Sequence, residues 1–185
     1  MDLANYTKNF PDLAVALVNT WDPPSSKEHL PDPRALDEWL SEHGIEAPPA
    51  TTKDLEAARA VRSRLRAVFE AGTEEEGLAI LNELLAEAPL VPKVVRSAGE
   101  CGFELTARDA PIARRLASEG AFGLAAAIAE GGFDRLRICG GHKCLDVFVD
   151  VSRNRSRKFC SPHVCGNRAS VAAYRARQKA EPKGA

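Results

Sequence analysis

The stretch CGGHKCLDVFVDVSRNRSRKFCSPHVCGNR, residues 139–168, contains four of the five cysteines of this 185-residue chain. They form two pairs, Cys139 with Cys144 and Cys160 with Cys165, each with four residues between its members. A short turn can present two sulfur atoms to one ion, and two such turns supply the four ligands of a closed tetrahedral zinc site. The sequence therefore predicts that these four cysteines bind one structural Zn²⁺.

Four clustered cysteines also allow other interpretations. Two disulfides would need an oxidising compartment, and the N-terminal residues lack the pattern of a secretory signal. A catalytic zinc would keep an open position, which four cysteine ligands do not leave. An iron–sulfur cluster also takes four thiolates and stays open as an alternative. His142 and His163 lie inside the two cysteine turns and are expected to face solvent.

The residues around the cysteines predict a small fold of their own. Leu145 to Val151 alternates apolar and other residues, which predicts a strand, followed by a polar turn at 152–156 and a return strand through Phe159. A helix follows Cys165, with Asn167 as its N-cap. Cysteine turn, hairpin and ligand-bearing helix together predict a treble-clef-like zinc module with four cysteine ligands at the C-terminus.

The residues before this module predict a mainly helical domain with one short β-hairpin, so the fold class of the chain is α+β. Helix-start patterns occur at Asp32, at Thr51 with Asp54, and at Thr73 with Glu76. The segments LVPKVVRS and CGFELTA, joined by AGE, predict the hairpin.

The helical part offers little that points to chemistry. It contains no phosphate-binding loop, no HExxH and no Gly-x-Ser-x-Gly pattern, so we do not expect an enzyme. Asn19, in the segment VNTWD, is expected to cap a helix, and contact with a ligand in a pocket is the alternative.

Charge is divided unevenly along the chain. Residues 1–134 carry 13 Lys and Arg against 23 Asp and Glu, whereas residues 135–179 carry 11 against 2. A basic segment on an acidic protein is typical of contact with a polyanion. Arginine forks match phosphates and guanine edges. The nucleic-acid contacts that we predict are Arg153, Arg155, Arg157, Lys158, Arg168, Arg175 and Lys179.

Residues 134–178 resemble the CGNR zinc finger, which is named for the Cys-Gly-Asn-Arg found here at 165–168. They share its two cysteine pairs and the Asp-x-Ser-Arg-Asn-Arg-Ser-Arg run at 150–157, although Phe159 replaces the usual Trp and Pro162 a common Met. The segments ALVNTWD and LPDPRALDEWL are similar to the ABATE domain, which precedes this finger in bacterial proteins described as stress-induced transcription regulators.

We accordingly divide the chain into an ABATE-like body (residues 1–133), a CGNR-type zinc finger that we call the metal module (residues 134–179), and a disordered tail (residues 180–185). The expected function is that of a cytoplasmic, zinc-dependent, DNA-binding transcriptional regulator that responds to stress or to a ligand. Duplex DNA is the expected partner of the metal module.

The remaining expectations concern partners. The body is expected to form a homodimer or to sense a small-molecule effector, and no apolar segment predicts a membrane partner. Two alternatives stay open for the metal module. It could bind RNA or an acidic protein surface, or it could act as a thiol-redox switch that releases zinc on oxidation.

Overall fold

A computed structural model describes residues 10–97 and 100–180. The predicted tail therefore lies outside the described residues except for Ala180. The α+β prediction is confirmed.

In chain order, the elements of the body are α1 (Phe10–Val18), β1 (Trp21–Asp22), β2 (Lys27–Glu28), α2 (Pro33–Glu42), α3 (Thr52–Glu70), α4 (Glu74–Leu85), β3 (Val91–Ser97), β4 (Glu100–Thr106) and α5 (Ile112–Gly131). Those of the metal module are a 3₁₀ turn (Phe133–Arg135), β5 (Leu136–Ile138), β6 (Val147–Val149), a π-helical turn (Pro162–Gly166) and α6 (Asn167–Ala180).

Helices α2, α3 and α4 begin at the three predicted caps. The Asp32 side chain accepts a backbone hydrogen bond from the first turn of α2 (2.9 Å). Thr51 and Asp54 bond reciprocally in a capping box, and Thr73 accepts from the backbone N–H of Glu76. Each cap satisfies a backbone donor that the first helical turn leaves without a partner.

The predicted hairpin is also present. Strands β3 and β4 pair antiparallel, with Val91 opposite Thr106 and Ser97 opposite Glu100. Strands β1 and β2 form a second, much shorter hairpin.

Helix α5 lies at the centre of the core, where α1, α3 and α4 pack against it. Gly120 is buried on α5, and a Cβ there would lie 3.3 Å from the Leu65 side chain and 3.5 Å from that of Ala14. The missing side chain lets α1 and α3 approach α5 closely. Among the described residues, no helix combines the length and the apolar content needed to cross a membrane.

The metal module shares this core. Leu136, Val147 and Val149, from β5 and β6, are buried in the same cluster as the helices of the body. Asn19, directly after α1, bonds both backbone groups of Val147: its Nδ2 donates to the carbonyl oxygen (2.9 Å) and its Oδ1 accepts from the N–H (2.8 Å). Arg66 of α3 adds a bond to the carbonyl oxygen of Leu145 (3.2 Å). The body therefore holds β6 directly.

Candidate metal centre

The four predicted cysteine ligands lie together. Their sulfur atoms are all within 4.8 Å of one another, and the distances from Cys160 Sγ are 3.7 Å to Cys144 Sγ and 3.6 Å to Cys165 Sγ. A tetrahedron of sulfurs at ~2.3 Å from a zinc ion has edges of about 3.8 Å. The cluster therefore has the size and the donor set of a site for one metal ion.

Backbone groups support the first cysteine turn, residues 139–144. The Cys139 sulfur accepts hydrogen bonds from the backbone N–H groups of Gly141 (3.4 Å) and Cys160 (3.3 Å). A Cβ at Gly141 would lie 3.3 Å from both Cys139 Sγ and Cys165 Cβ, which is closer than most Cβ contacts in proteins. A side chain at Gly141 would therefore crowd the place where this turn passes the opposite cysteine.

The shifted pKa values of three thiols determine how many protons a metal ion must displace when it binds. Burial raises the pKa of Cys144 to about 12, well above its ordinary 9.0. Burial, the Asp146 carboxylate and the neighbouring sulfurs raise the pKa of Cys160 as well. Burial also acts on Cys139, but the two backbone N–H groups outweigh it and lower the pKa of that thiol. Since metals bind thiolates, binding at this site would displace protons, and metal affinity should rise with pH.

The second cysteine turn, residues 160–165, leads into the final helix, but the cap is not the predicted one. Ser161 accepts from the backbone N–H of Val164 (3.2 Å) and begins the π-helical turn that contains Cys165. Asn167 already has helical backbone angles, and its side chain donates to the carbonyl oxygen of His163. The prediction of Asn167 as N-cap was wrong because Pro162 suits the first turn of a helix.

The predicted return strand through Phe159 is also absent. Strand β6 pairs instead with β5, upstream of the first cysteine, with Leu136 opposite Val149. On its other edge, the Asn19 side chain forms hydrogen bonds with the backbone N–H and C=O of Val147. Both edges of β6 are thus occupied, and the returning chain is held by other bonds, including one from Gly140 N–H to the Lys158 carbonyl oxygen (2.9 Å).

The predicted strand is present at β6, and its side chains alternate in direction, but they do not alternate in burial. Val147, Phe148 and Val149 are all buried. The two valines face the core of the body, while Phe148 packs with Cys139 and Cys165 beside the metal site. The strand lies between two apolar environments, so all three of its side chains are buried.

Asp150 organises the arginine-rich loop, a role that the sequence analysis missed. Its carboxylate is fully buried and accepts from the backbone N–H groups of Ser152 (2.9 Å) and Arg157 (2.9 Å). Burial raises the pKa of Asp150, but the Ser152 hydroxyl, these two N–H groups and the charge of Arg137 together outweigh burial and hold the pKa below its ordinary 3.8. An aspartate two residues before a serine is a turn pattern that could have revealed this role.

Arg157, predicted to contact nucleic acid, turns toward the metal site. Its guanidinium lies 4.7 Å from the centre of the Phe148 ring and donates to the carbonyl oxygens of Phe159 and Cys160. These bonds brace the second cysteine turn and leave Arg157 poorly placed for an external partner.

The other predicted nucleic-acid contacts lie mostly on the surface. Arg153, Lys158, Arg168 and Arg175 are exposed. Arg155 is also exposed but pairs with Asp134 (3.2 Å). Lys179 lies in α6, and its side chain is outside what the structure describes. His142 and His163 are exposed, as expected.

Asn19 remains a predicted ligand contact. The bonds to Val147 use its amide nitrogen and its amide oxygen. Asn19 also lines a cleft of about 640 Å³ between the body and the metal module, together with Phe148 and Arg157. The described contacts account for Asn19 as a link between the two parts of the chain.

Two family models match the chain. The CGNR zinc finger matches residues 135–178, and ABATE, described as "Putative stress-induced transcription regulator", matches residues 11–136. A search of curated proteins finds no match. The description of the ABATE family indicates a regulatory role. Because the longer match covers well over half of the sequence, the chain belongs to the ABATE family, and its C-terminal part is a CGNR zinc finger.

Proposed function

We propose that this protein is a transcriptional regulator whose metal module binds duplex DNA through α6 when the four cysteines hold Zn²⁺. Four thiolates in a closed tetrahedral set are typical of structural zinc. The family descriptions, a zinc finger and a transcription regulator, support the same assignment.

The surface of α6 is the observation that carries the proposal. Every described side chain of the helix is exposed except that of Ala169, which is half-buried. The helix contains no acidic residue, and Arg168, Arg175 and Arg177 all reach solvent. A basic, uncovered helix has the shape and the charge that suit the major groove of DNA.

The metal would fix this helix relative to the body. Cys165 lies in the turn that leads into α6, and the other three ligands lie in segments bonded to β6 or its neighbours. Without the ion, the raised pKa values of Cys144 and Cys160 keep these two thiols protonated, and the two cysteine turns are left with hydrogen bonds such as that from Cys160 N–H to Cys139 Sγ (3.3 Å). We therefore expect DNA binding to depend on the metal.

Selection from random duplex DNA with the zinc-loaded protein, followed by binding measurements over a range of salt concentrations, tests the proposal. We expect affinity to fall steeply with salt, because phosphate contacts release counterions. Arg168→Ala and Arg175→Ala should each weaken binding. A variant that loses one phosphate contact should also reduce the salt slope by about one.

Arg34→Ala is the matched control, since Arg34 is an exposed arginine of α2 in the body. It should bind as the unchanged protein does. Absence of salt-sensitive binding to any duplex, or binding that a zinc chelator leaves intact, would refute the proposal.

Competition experiments separate the remaining alternatives. Only Tyr174 offers an exposed aromatic ring among the described residues of α6, which disfavours single strands that bind by stacking. If structured RNA or heparin displaces the protein as effectively as the selected duplex does, the result would favour RNA or an acidic protein surface as the partner. Zinc release at low peroxide concentration would favour the redox alternative.

A further inference from the structure

Helix α6 exposes apolar side chains that phosphate binding does not need. Val171 is 48% exposed and Tyr174 57%, and Val164 in the preceding turn is 49% exposed. Large apolar side chains grouped on an uncovered helix indicate a contact surface. The residues next to these apolar side chains indicate which kind of partner the surface would bind.

Four exposed residues lie on one face of α6. Arg168, Val171, Arg175 and Gln178 are separated by three, four and three positions. At about 100° per residue they fall within a sector of about 80°. The valine thus lies between two guanidinium groups, one nearly a turn before it and the other a turn after it.

This mixture of groups matches the edges of base pairs. In the major groove, guanine offers the O6 and N7 acceptors that an arginine fork binds, and thymine offers a methyl group that an apolar side chain contacts. A second copy of the same face is a poor partner. In many arrangements it would bring arginines together, and α6 has no acidic residue to balance them.

We propose that this face of α6 reads sequence, with Val171 contacting the 5-methyl group of a thymine and Arg168 and Arg175 each binding a guanine. The inference rests on the proposed function, since it assumes that α6 enters the major groove. The Cα atoms of Arg168 and Arg175 are about 10.5 Å apart along the helix axis. That distance equals about three base-pair steps, so the site should contain a thymine between guanines roughly three base pairs apart.

Base analogues in the selected duplex test these contacts. Replacing thymine by uracil removes only the methyl group and should weaken binding about three- to fivefold for the contacted base. Replacing a contacted guanine by 7-deazaguanine removes one acceptor and should also weaken binding. Val171→Ala should lose much of its sensitivity to uracil, and Arg168→Ala and Arg175→Ala should each lose sensitivity at one guanine.

Val151→Ala provides the matched control, because Val151 is 78% exposed and lies outside the helix. It should remain as sensitive to uracil as the unchanged protein. Metal content and helical circular dichroism, equal in all variants, show that the fold is intact.

The thymine contact can be absent although α6 binds duplex DNA. Duplex binding that is equally tight with thymine and with uracil at every position would overturn the thymine contact and leave the proposed function standing. Binding to no duplex at all would remove the proposed function itself and the inference with it.

Discussion

Glu28 is the residue on which two arginines of α3 converge. Its carboxylate binds Arg62 in a fork, with both N–O distances 2.7 Å, and lies 3.4 Å from Arg59 Nε. The Arg62 side chain is only 10% exposed and also donates to the hydroxyl of Thr20 (3.0 Å). Burial raises the pKa of Glu28, but the bonds and charges of the arginines outweigh burial and lower it from 4.5.

Glu28→Gln should therefore destabilise the protein at pH 7, by about 1–3 kcal/mol, because a largely buried guanidinium loses its charged partner. A lowered pKa means that this stabilisation is present above pH 4.5 and is lost as the pH falls through the pKa of the folded state. Urea unfolding of both proteins between pH 7 and pH 4 should show the difference shrinking towards acid.

Glu38→Gln is the control for that experiment. Glu38 pairs with Arg34 on the surface of α2, where both side chains are mostly exposed, so the loss should stay below about 0.5–1 kcal/mol. Equal losses from the two substitutions, or a difference that grows towards acid, would contradict our view of the Glu28 pair.

Among the elements, β6 depends most on contacts from a distance. Its three residues pair with β5 on one edge, and on the other edge Val147 bonds the Asn19 side chain. The caps of α2, α3 and α4 were predictable, because each bonds a residue three positions away. The pairing of β6 was not, because the Asn19 amide bonds a residue 128 positions further along the chain.

Asn19→Ala should leave the N–H and C=O of buried Val147 without these partners and lower the free energy of unfolding by about 1–3 kcal/mol. Because β6 connects the two cysteine turns, zinc affinity, measured by competition with a coloured chelator, should fall as well. Asn82→Ala, at an exposed position of α4, should change neither quantity. A stability loss without any change in zinc affinity would show that the Asn19 contact does not reach the metal site.

The molecule as a whole should respond to its metal as one unit. Leu136, Val147 and Val149 belong to the core of the body, although they lie next to the cysteine turns in sequence. The boundary that we predicted at residues 133 and 134 thus crosses a shared core and remains a prediction. A finger joined by a linker would instead unfold on its own when the ion leaves.

Removing zinc should therefore destabilise the body too. Both tryptophans, Trp21 and Trp39, lie in the body, so their fluorescence reports on it. We expect their thermal midpoint to fall by at least about 20 °C, because each kcal/mol lost shifts a chain of this size by about 2–4 °C and structural zinc is worth about 10–16 kcal/mol in zinc-finger peptides. Zinc, and not magnesium, should restore the midpoint; an unchanged midpoint in the metal-free protein would mean that the two parts unfold independently.

Local patterns in the sequence were enough to predict the grouping of the four cysteines, the caps of three helices, the β3–β4 hairpin and the α+β class. Each of these depends on residue type at a short, fixed spacing. The roles of Asn19, Asp150, Phe148 and Arg157 were decided only in the tertiary structure. There the return of the chain places β6 between the body and the sulfur cluster. Arg157 therefore contacts the Phe148 ring, and Asn19, at the end of α1, bonds the backbone of β6. No periodicity encodes such contacts, because the groups that satisfy one another come from distant segments and meet only once the core has formed.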